Sequence, residues 1–184
     1  MLEGKIVRLR PMEPDEAENY YHWLNDPEVK QYLGMRYFYS LAAEREWLRE
    51  RTDRPLSYDN VQFAVDTLIE GRHIGNVGLR EVHPDDRRAT VGIAIGDKAA
   101  WDKGYGTDAM VTLLRFCFDE MNLHKVSLHV DERNARALAS YQKAGFVEEG
   151  RLRDDRFARG RYWDVVVMSV LEDEFRALHG EASP

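Results

Sequence analysis

The chain has 184 residues, and its 26 Lys and Arg against 33 Asp and Glu give a formal net charge of −7. Hydrophobic residues make up 43% and charged residues 32%, which is typical of one globular domain and excludes a disordered or fibrous chain. The negative charge argues against direct binding to nucleic acid and favours a cationic small molecule or peptide as partner.

The sequence also limits location and metal chemistry. No apolar run approaches the roughly 18 to 20 residues of a membrane span, and the first ten residues are charged where a signal peptide would be apolar. Cys117 is the single cysteine and the six histidines show no metal-ligand spacing, so we expect no disulfide and no metal site. These features predict a cytoplasmic protein that is not exported and does not contact a membrane.

Apolar spacing predicts the elements of the first part of the chain. Residues 5–10 read as a strand, and Ala17 to Leu24 have helical spacing. The segment Asn25 to Val29 predicts a loop. Ser40 is a favourable N-cap residue and predicts a second helix that ends near Thr52.

The middle of the chain alternates in the manner of strands. Residues 61–65, 73–82 and 88–95 predict three antiparallel strands joined by short turns. Helical spacing then runs from Tyr105 to about Asn122, and residues 125–131 alternate again as a strand. Because a crossover helix normally joins parallel neighbours, the segments 88–96 and 125–131 are expected to pair in parallel.

The last part of the chain predicts one more helix and two strands. Asn134 to Ala144 read as a helix that stops at Gly145, and the next strand begins at Phe146. Tyr162 to Leu171 contain a continuous apolar run, which predicts a central strand or a contact in a homodimer. We therefore expect one domain over residues 1–171 and a polar, fraying tail over residues 172–184.

A glycine-rich turn precedes the helix at Tyr105. The segment Trp101-Asp102-Lys103-Gly104-Tyr105-Gly106-Thr107 would leave N–H groups unpaired at the positive end of the helix dipole. Two glycines allow a phosphate to approach the backbone, and Lys103 adds a positive charge. The segment lacks the further residues of a Walker loop or a dinucleotide fingerprint, so it predicts another kind of pyrophosphate site or a tight turn.

The strand before this turn has one shallow face. Val91, Ile93 and Ile95 share a face, and the residues between them are small or polar. A slender amide-bearing ligand could pair with the main chain here, although small residues packed beside a helix would give the same pattern.

A second group of polar residues follows the parallel strand. Asn134 opens a helix, and Tyr141 lies two turns further along the same face. A plain N-cap and a core aromatic would explain the two residues equally well.

The order of these segments resembles the GNAT acyl-CoA N-acyltransferases. The motifs that carry the resemblance are Lys-Gly-Tyr-Gly-Thr at 103–107, Asn-Ala-Arg-Ala at 134–137 and Tyr-Gln-Lys-Ala-Gly-Phe at 141–146. Segments 7–11, 23–29 and 160–168 are similar to the branch that contains ribosomal-protein N-terminal acetyltransferases and spermidine acetyltransferases. The resemblance implies a single α/β (α+β) domain whose mixed central sheet has antiparallel N-terminal strands and a parallel central pair flanked by helices.

The resemblance also implies acetyl-CoA as the acetyl donor and assigns residues to it. The pyrophosphate would be held by Asp102, Lys103, Gly104, Tyr105, Gly106 and Thr107. The pantetheine arm would pair with the main chain of Ile93, Ala94 and Ile95. Asn134 would bind the arm near the thioester, and Tyr141 would face the sulfur.

This placement implies a role for Tyr141 in the reaction. A phenol with a pKa of about 10 can give a proton to the thiolate that leaves when an amine attacks the thioester. A backbone N–H of residues 93–95 would stabilise the negative charge on the carbonyl oxygen.

The general base is the point where the chain departs from many relatives. They carry a glutamate at the position of Thr90, and the attacking ammonium must still lose a proton. Glu81, on the preceding strand, is the candidate acceptor, directly or through water. Its alternative role is an exposed partner of Arg80 or Arg88.

The resemblance implies direct transfer of acetyl to a primary amine in a ternary complex, without a covalent enzyme intermediate. Cys117 does not compete as a nucleophile, because its position matches the apolar face of its helix. A peptide or ribosomal-protein α-amine and a polyamine are the leading acceptors, and an aminoglycoside remains open. A non-catalytic acyl-CoA sensor and an unrelated module that binds ATP or NAD are the alternatives from other classes.

Overall fold

A computed structural model describes residues 1–58 and 60–180. In this part of the chain the strands span Leu2–Glu3 (β1), Val7–Arg10 (β2), Gln62–Thr67 (β3), His73–His83 (β4), Arg88–Ile95 (β5), Lys125–Asp131 (β6), Val147–Ala158 (β7) and Arg161–Leu171 (β8). The α-helices span Ala17–Asn25 (α1), Pro27–Lys30 (α2), Leu41–Thr52 (α3), Tyr105–Asp119 (α4), Ala135–Ala144 (α5) and Glu172–His179 (α6).

All eight strands form one mixed sheet in the order β1-β2-β3-β4-β5-β6-β8-β7. The first five strands pair antiparallel, β5 pairs with β6 in parallel, and the last pairs are antiparallel again. This confirms the predicted fold class.

The parallel pair is short. Only three residue pairs join β5 to β6, and the last of them is Thr90 with Ser127. The rest of β5, through Ile95, still pairs with β4 on its other edge. The edge of β5 that faces β6 is therefore unpaired with a strand beyond Thr90.

Local capping explains the ends of the predicted helices. The Ser40 hydroxyl accepts a hydrogen bond from the Ala43 N–H at 3.1 Å, which confirms the N-cap of α3. Gly145 ends α5 in the left-handed conformation, with φ of 108°.

The segment after α1 is helical where a loop was expected. Asp26 accepts hydrogen bonds from the N–H groups of Glu28 and Val29, and Pro27 occupies the first helical position. An Asp-Pro pair favours the start of a helix, because Asp caps the first N–H groups and Pro fits the first helical position. These two residues explain why a helix as short as α2 forms here.

The expectation of a fraying tail is wrong for residues 172–179, which form α6. Phe175 is buried in the core, 5.2 Å from the Phe118 ring, and Arg176 pairs with Asp119 and Glu172. Phe175 is the one buried residue of α6, and the polar residues around it gave no helical apolar pattern in the sequence. Residues 181–184 lie outside the described part of the chain.

The strand β8 lies between β6 and β7, so the prediction of a central strand is confirmed. Its apolar residues Val165, Val166, Met168 and Val170 are buried within the chain itself. The apolar run therefore gives no support to a homodimer, which stays a prediction. No helix in the described residues is long and apolar enough to span a membrane.

Candidate active site

A cavity of about 340 Å³ joins β5, the start of α4, α5 and α2. Its wall contains every residue predicted to bind the donor except Lys103. Those in the wall are Ile93, Ala94, Ile95, Asp102, Gly104, Tyr105, Gly106, Thr107, Asn134 and Tyr141. The fold therefore brings together residues that are up to 48 positions apart, from Ile93 to Tyr141.

The β5 part of the wall presents free main-chain groups. Residues 93–95 lie beyond the last parallel pair, and one of their carbonyls, that of Ile95, accepts a hydrogen bond from the Trp101 indole N–H at 2.7 Å. An unpaired strand edge of this kind can pair with the amides of an extended ligand.

The shallow face predicted on β5 is only partly open. The Arg80 guanidinium packs over Gly92, since a Cβ placed on this glycine would be 3.0 Å from Arg80 Nη2. A long side chain from β4 thus covers the face that small residues left free in the sequence. The cavity follows the later residues of the strand.

The start of α4 has backbone geometry that could hold an anion. Asp102 and Gly104 both have positive φ, 59° and 86°, and turn the chain into the helix. The N–H groups of residues 104–107 donate to no other group in the described chain. Four unpaired donors at a helix N-terminus suit a pyrophosphate.

Gly106 keeps this site open. A Cβ at Gly106 would lie 3.6 Å from Ile95 and 3.8 Å from the Ser140 hydroxyl, between β5 and α5. The glycine therefore preserves space inside the cavity that a side chain would fill. This fits the close approach of a slender phosphate-bearing ligand.

Asn134 has a structural role and one free donor. Its side-chain oxygen accepts from the Ala137 N–H at 3.2 Å, which makes it the N-cap of α5. Its amide nitrogen has no protein partner in the described chain and lies in the cavity wall. The N-cap role is therefore confirmed, and the role of Asn134 in binding the donor stays a prediction that its free amide nitrogen allows.

Tyr141 contributes a protonated hydroxyl. Its ring packs 5.9 Å from the Phe146 ring, and its hydroxyl bonds to no described residue. Burial raises the pKa of Tyr141 to about 12. The phenol therefore stays protonated at neutral pH and can donate a hydrogen bond into the cavity.

Two predicted residues lie outside the wall. Lys103 is exposed beside it. Glu81 faces a separate groove with Leu79 and Arg80, and its carboxylate accepts a hydrogen bond from the Thr90 hydroxyl at 3.2 Å. Thr90 in turn lies 3.5 Å from the Ser127 hydroxyl, at the last pair before β5 and β6 part.

The sequence reasoning missed a stacked pair in the wall. The Arg136 guanidinium lies 3.7 Å from the centroid of the Trp101 ring. Together they connect α5 to the loop before α4, and a cation–π contact of this kind stabilises both. Trp101 lies in the glycine-rich segment 101–107 and Arg136 lies in the Asn-Ala-Arg-Ala motif, but the spacing of the two motifs does not predict that these side chains are in contact.

The sequence reasoning also missed the α2 side of the wall, which is formed by Val29 on α2 and by Tyr32 and Leu33 in the turn that follows it. The Arg156 guanidinium, from β7, donates to the Tyr32 carbonyl at 2.7 Å and lies 3.7 Å from the Asp131 carboxylate. No local pattern connects these residues, because they come from distant parts of the chain.

Asp131 anchors this contact from within the protein. Its side chain is fully buried and accepts hydrogen bonds from the Arg133 side chain. Burial acts to raise the pKa of Asp131, but the hydrogen bonds from Arg133 outweigh it and hold the pKa below its usual value. The carboxylate therefore stays charged between two guanidinium groups.

Other reactive groups lie away from the cavity. Cys117 is buried on α4, and burial raises the pKa of its thiol, so it is not a nucleophile. Within residues 1–58 and 60–180, no cluster of three His, Cys, Asp or Glu side chains could hold a metal ion.

The family follows from comparison with known proteins. Residues 7–147 match the acetyltransferase (GNAT) domain, so this chain belongs to the GNAT acetyltransferases. It is 29% identical over 180 residues to the spermidine N(1)-acetyltransferase of Escherichia coli strain K12, which covers 97% of this chain and 93% of that protein. It is 27% identical over 179 residues, with coverage of 92% and 93%, to a Bacillus subtilis protein named provisionally as a ribosomal N-acetyltransferase.

A solved structure shows the same fold. The crystal structure of spermidine N-acetyltransferase from Vibrio cholerae in complex with CoA and spermine superposes with a TM-score of 0.80 at 30% identity, covering 92% of this chain and 97% of that one. The chain is thus an acyl-CoA-dependent N-acetyltransferase with acetyl-CoA as its donor, as the motifs implied.

Proposed function

We propose that this chain transfers acetyl from acetyl-CoA to a primary amine by direct attack of the amine in a ternary complex. One observation carries the proposal. A single cavity joins the open N-terminus of α4, the free edge of β5 and the Tyr141 hydroxyl, and it extends to α2, where an acceptor can enter. The wall holds no cysteine among the described residues, which fits a transfer without a covalent enzyme intermediate.

The donor contributes an activated acetyl thioester, and the chain holds it through its main chain. We assign the pyrophosphate to Asp102 through Thr107 and the pantetheine arm to Ile93 through Ile95. The free amide nitrogen of Asn134 donates to the arm. A backbone N–H of residues 93–95 stabilises charge on the carbonyl oxygen.

Tyr141 donates to the sulfur as it leaves. A phenol with a pKa of about 12 is a weaker acid than an alkyl thiol, which titrates near 8.5. The phenol therefore stabilises the thiolate mainly as a hydrogen-bond donor, and it remains in the protonated form needed for the next turnover.

Glu81 accepts the proton of the attacking amine through Thr90. The hydrogen bond between these residues supports this role, because the Thr90 hydroxyl lies where β5 and β6 separate. Water between Thr90 and the amine would complete the path. The glutamate that relatives carry at this position is thus replaced by a hydroxyl that a carboxylate orients.

Two acceptors are supported by the relatives. The spermidine acetyltransferases support a polyamine, and the ribosomal N-acetyltransferase name supports a peptide α-amine. The proposal that the enzyme acts in the cytoplasm, without nucleic acid or membrane as a partner, rests on the net charge and the single cysteine.

Free-thiol release from acetyl-CoA tests the proposal, with spermidine, a short peptide, lysine and an aminoglycoside as acceptors. We expect release that depends on one class of amine, together with protection against thermal unfolding by acetyl-CoA. Protection without release from any acceptor would instead support a non-catalytic acyl-CoA sensor. Protection by ATP or NAD but not by acetyl-CoA would support an unrelated phosphate-binding module.

A further inference from the structure

The acceptor side of the cavity is distinct from the donor side. Once the residues assigned to acetyl-CoA are set aside, the described wall still contains Ala100, Trp101 and five residues of α5, together with Val29, Tyr32 and Leu33. Of these, Val29 on α2 and Tyr32 and Leu33 just after it lie outside β5, α5 and the loop before α4, and we call these three residues the α2 wall. The following inference rests on the proposed function, since it concerns the amine that approaches along this wall.

The α2 wall is apolar and aromatic. Val29 is buried, and Tyr32 and Leu33 are partly buried with their side chains in the wall. Among the described residues of the whole cavity wall, Asp102 is the one acid, and it belongs to the turn before α4. On the α2 side of the wall, no carboxylate of a described residue is therefore placed to receive a second ammonium group.

The carboxylates around α2 are already engaged by cations. Asp26 and Glu28 lie 2.7 Å and 3.2 Å from the Lys98 ammonium. The buried Asp131 is held by Arg133 and Arg156. A cationic ligand would have to displace these partners.

The charge next to the wall is positive. The Arg133 guanidinium lies 5.7 Å from the Tyr32 ring, and Arg156 donates to the Tyr32 carbonyl. The Lys30 ammonium packs 3.6 Å from the Phe38 ring and has no hydrogen-bond partner in the described chain. Together with Lys98, these groups make four cations beside α2, against the three carboxylates of Asp26, Glu28 and Asp131, so one positive charge is in excess among them.

We infer that the acceptor is a primary amine with a single charge, carried on an apolar or aromatic group, and that a polyamine is a poor substrate. A free amine of this type can deprotonate and enter as a neutral group against Tyr32 and Leu33. A polyamine must bring a second ammonium past a wall that repels it and offers it no partner. The chemistry fits either a small arylalkylamine or a peptide whose first residue is apolar.

Thiol release from acetyl-CoA with four acceptors tests this inference. The acceptors are phenethylamine, a tripeptide that begins with leucine, spermidine and spermine. We expect kcat/KM for phenethylamine or the tripeptide to exceed that for spermidine by at least about tenfold. The ratio of kcat/KM for phenethylamine to kcat/KM for the tripeptide shows whether the amine comes from a small arylalkylamine or from a peptide.

A substitution in the wall sharpens the test. Leu33→Glu adds the missing carboxylate, and we expect it to raise the spermidine to phenethylamine ratio by about tenfold. Val147→Glu is the matched control, because it adds the same charge to β7 at a side chain that is 57% exposed and outside the cavity. It should leave the ratio unchanged.

The outcomes separate the inference from the function on which it rests. Spermidine or spermine as the best acceptor would overturn the inference and leave the proposed transferase intact. An unchanged ratio in folded Leu33→Glu protein would also overturn it, by showing that acceptors do not pass along α2. Absence of release with all four acceptors, when acetyl-CoA still binds, would overturn both.

Discussion

The proposed donor side and the proposed acceptor side of the cavity are made from different groups. The donor side offers main-chain N–H and C=O groups of β5 and the turn before α4, kept accessible by Gly104 and Gly106. The acceptor side consists of the side chains of Val29 on α2 and of Tyr32 and Leu33 just after it, where Arg156 from β7 donates to the Tyr32 carbonyl. Backbone conformation therefore controls the donor side, whereas side-chain chemistry and long-range contacts control the acceptor side.

This difference has consequences for specificity. Main-chain groups are the same in every residue, so the donor side can bind the same ligand with many different sequences. A side-chain wall changes its chemistry with each substitution. Relatives that use the same acetyl donor can therefore differ in the amine that they acetylate.

The largest effect is expected at Tyr141, which lies between the two sides. Tyr141→Phe should lower kcat by about 100-fold, because the leaving sulfur loses its hydrogen-bond donor. Thermal protection by acetyl-CoA should remain. The wild-type rate should rise with pH as the acceptor amine deprotonates. Because the pKa of the Tyr141 phenol is about 12, its ionisation should not lower the rate at any pH up to about 10.

Tyr162→Phe is the control for this variant, since Tyr162 is 61% exposed and outside the cavity wall. Steady-state kinetics on both proteins checks the expectation. A loss of less than about threefold in Tyr141→Phe would mean that the thiolate leaves without help from this residue.

A substitution at Glu81 tests whether removal of the proton from the attacking ammonium depends on a group outside the cavity. Glu81→Gln should lower kcat/KM by about tenfold near pH 7, and the loss should shrink as pH approaches the ammonium pKa of about 10. Above that pH the amine is already neutral and needs no base. Asp85→Asn, in the adjacent turn, should have no effect; a loss in Glu81→Gln that is independent of pH would indicate a structural role.

A substitution at Gly104 tests whether binding of acetyl-CoA on the donor side depends on backbone conformation. Gly104→Ala should raise KM for acetyl-CoA by about fivefold, because a side chain disfavours φ of 86° at the start of α4. A Cβ there would meet only Ile6, at 3.8 Å, so crowding is not the cause. KM for the acceptor should be unchanged.

Gly71→Ala is matched to this variant, since Gly71 also has positive φ, 63°, and open space around it, but lies in the turn between β3 and β4. Thermal unfolding should show a similar loss of stability in both, of about 1 kcal/mol. An equal rise in KM for acetyl-CoA in both proteins would refute a specific role for the α4 turn.

The smallest effect is expected at Arg156, on the acceptor side. Arg156→Met should raise KM for the acceptor by about threefold and leave KM for acetyl-CoA unchanged, because the Tyr32 carbonyl loses its donor. Arg156→Lys should restore part of the loss. Arg153→Met, an exposed position on the same strand, serves as the control; equal changes in both KM values would show that Arg156 supports the fold instead.

Much of the fold could be predicted because its signals are local. Ser40 and Gly145 mark helix ends through contacts within a few residues, and the crossover from β5 through α4 to β6 follows from one change of period. Helix α6 escaped prediction because Phe175 is its one buried residue and its other contacts, such as that of Arg176 with Asp119, join residues far apart in the chain. The Asp-Pro pair at the start of α2 is a local signal, but the segment Asn25 to Val29 predicts a loop because α2 is only four residues long.

The candidate site divides in the same way. The sequence by itself placed the glycine turn at the start of α4 and put Asn134 and Tyr141 on one helix, because these residues lie in two contiguous segments with clear helix and strand periods. Their assignment to the donor came from the resemblance of these segments to the GNAT motifs. Only the tertiary structure decided that Glu81 lies outside the cavity and that Arg80 covers Gly92. It also decided the acceptor wall, because the contact between Tyr32 and Arg156 joins residues 124 positions apart, and no local preference of the chain encodes such a contact.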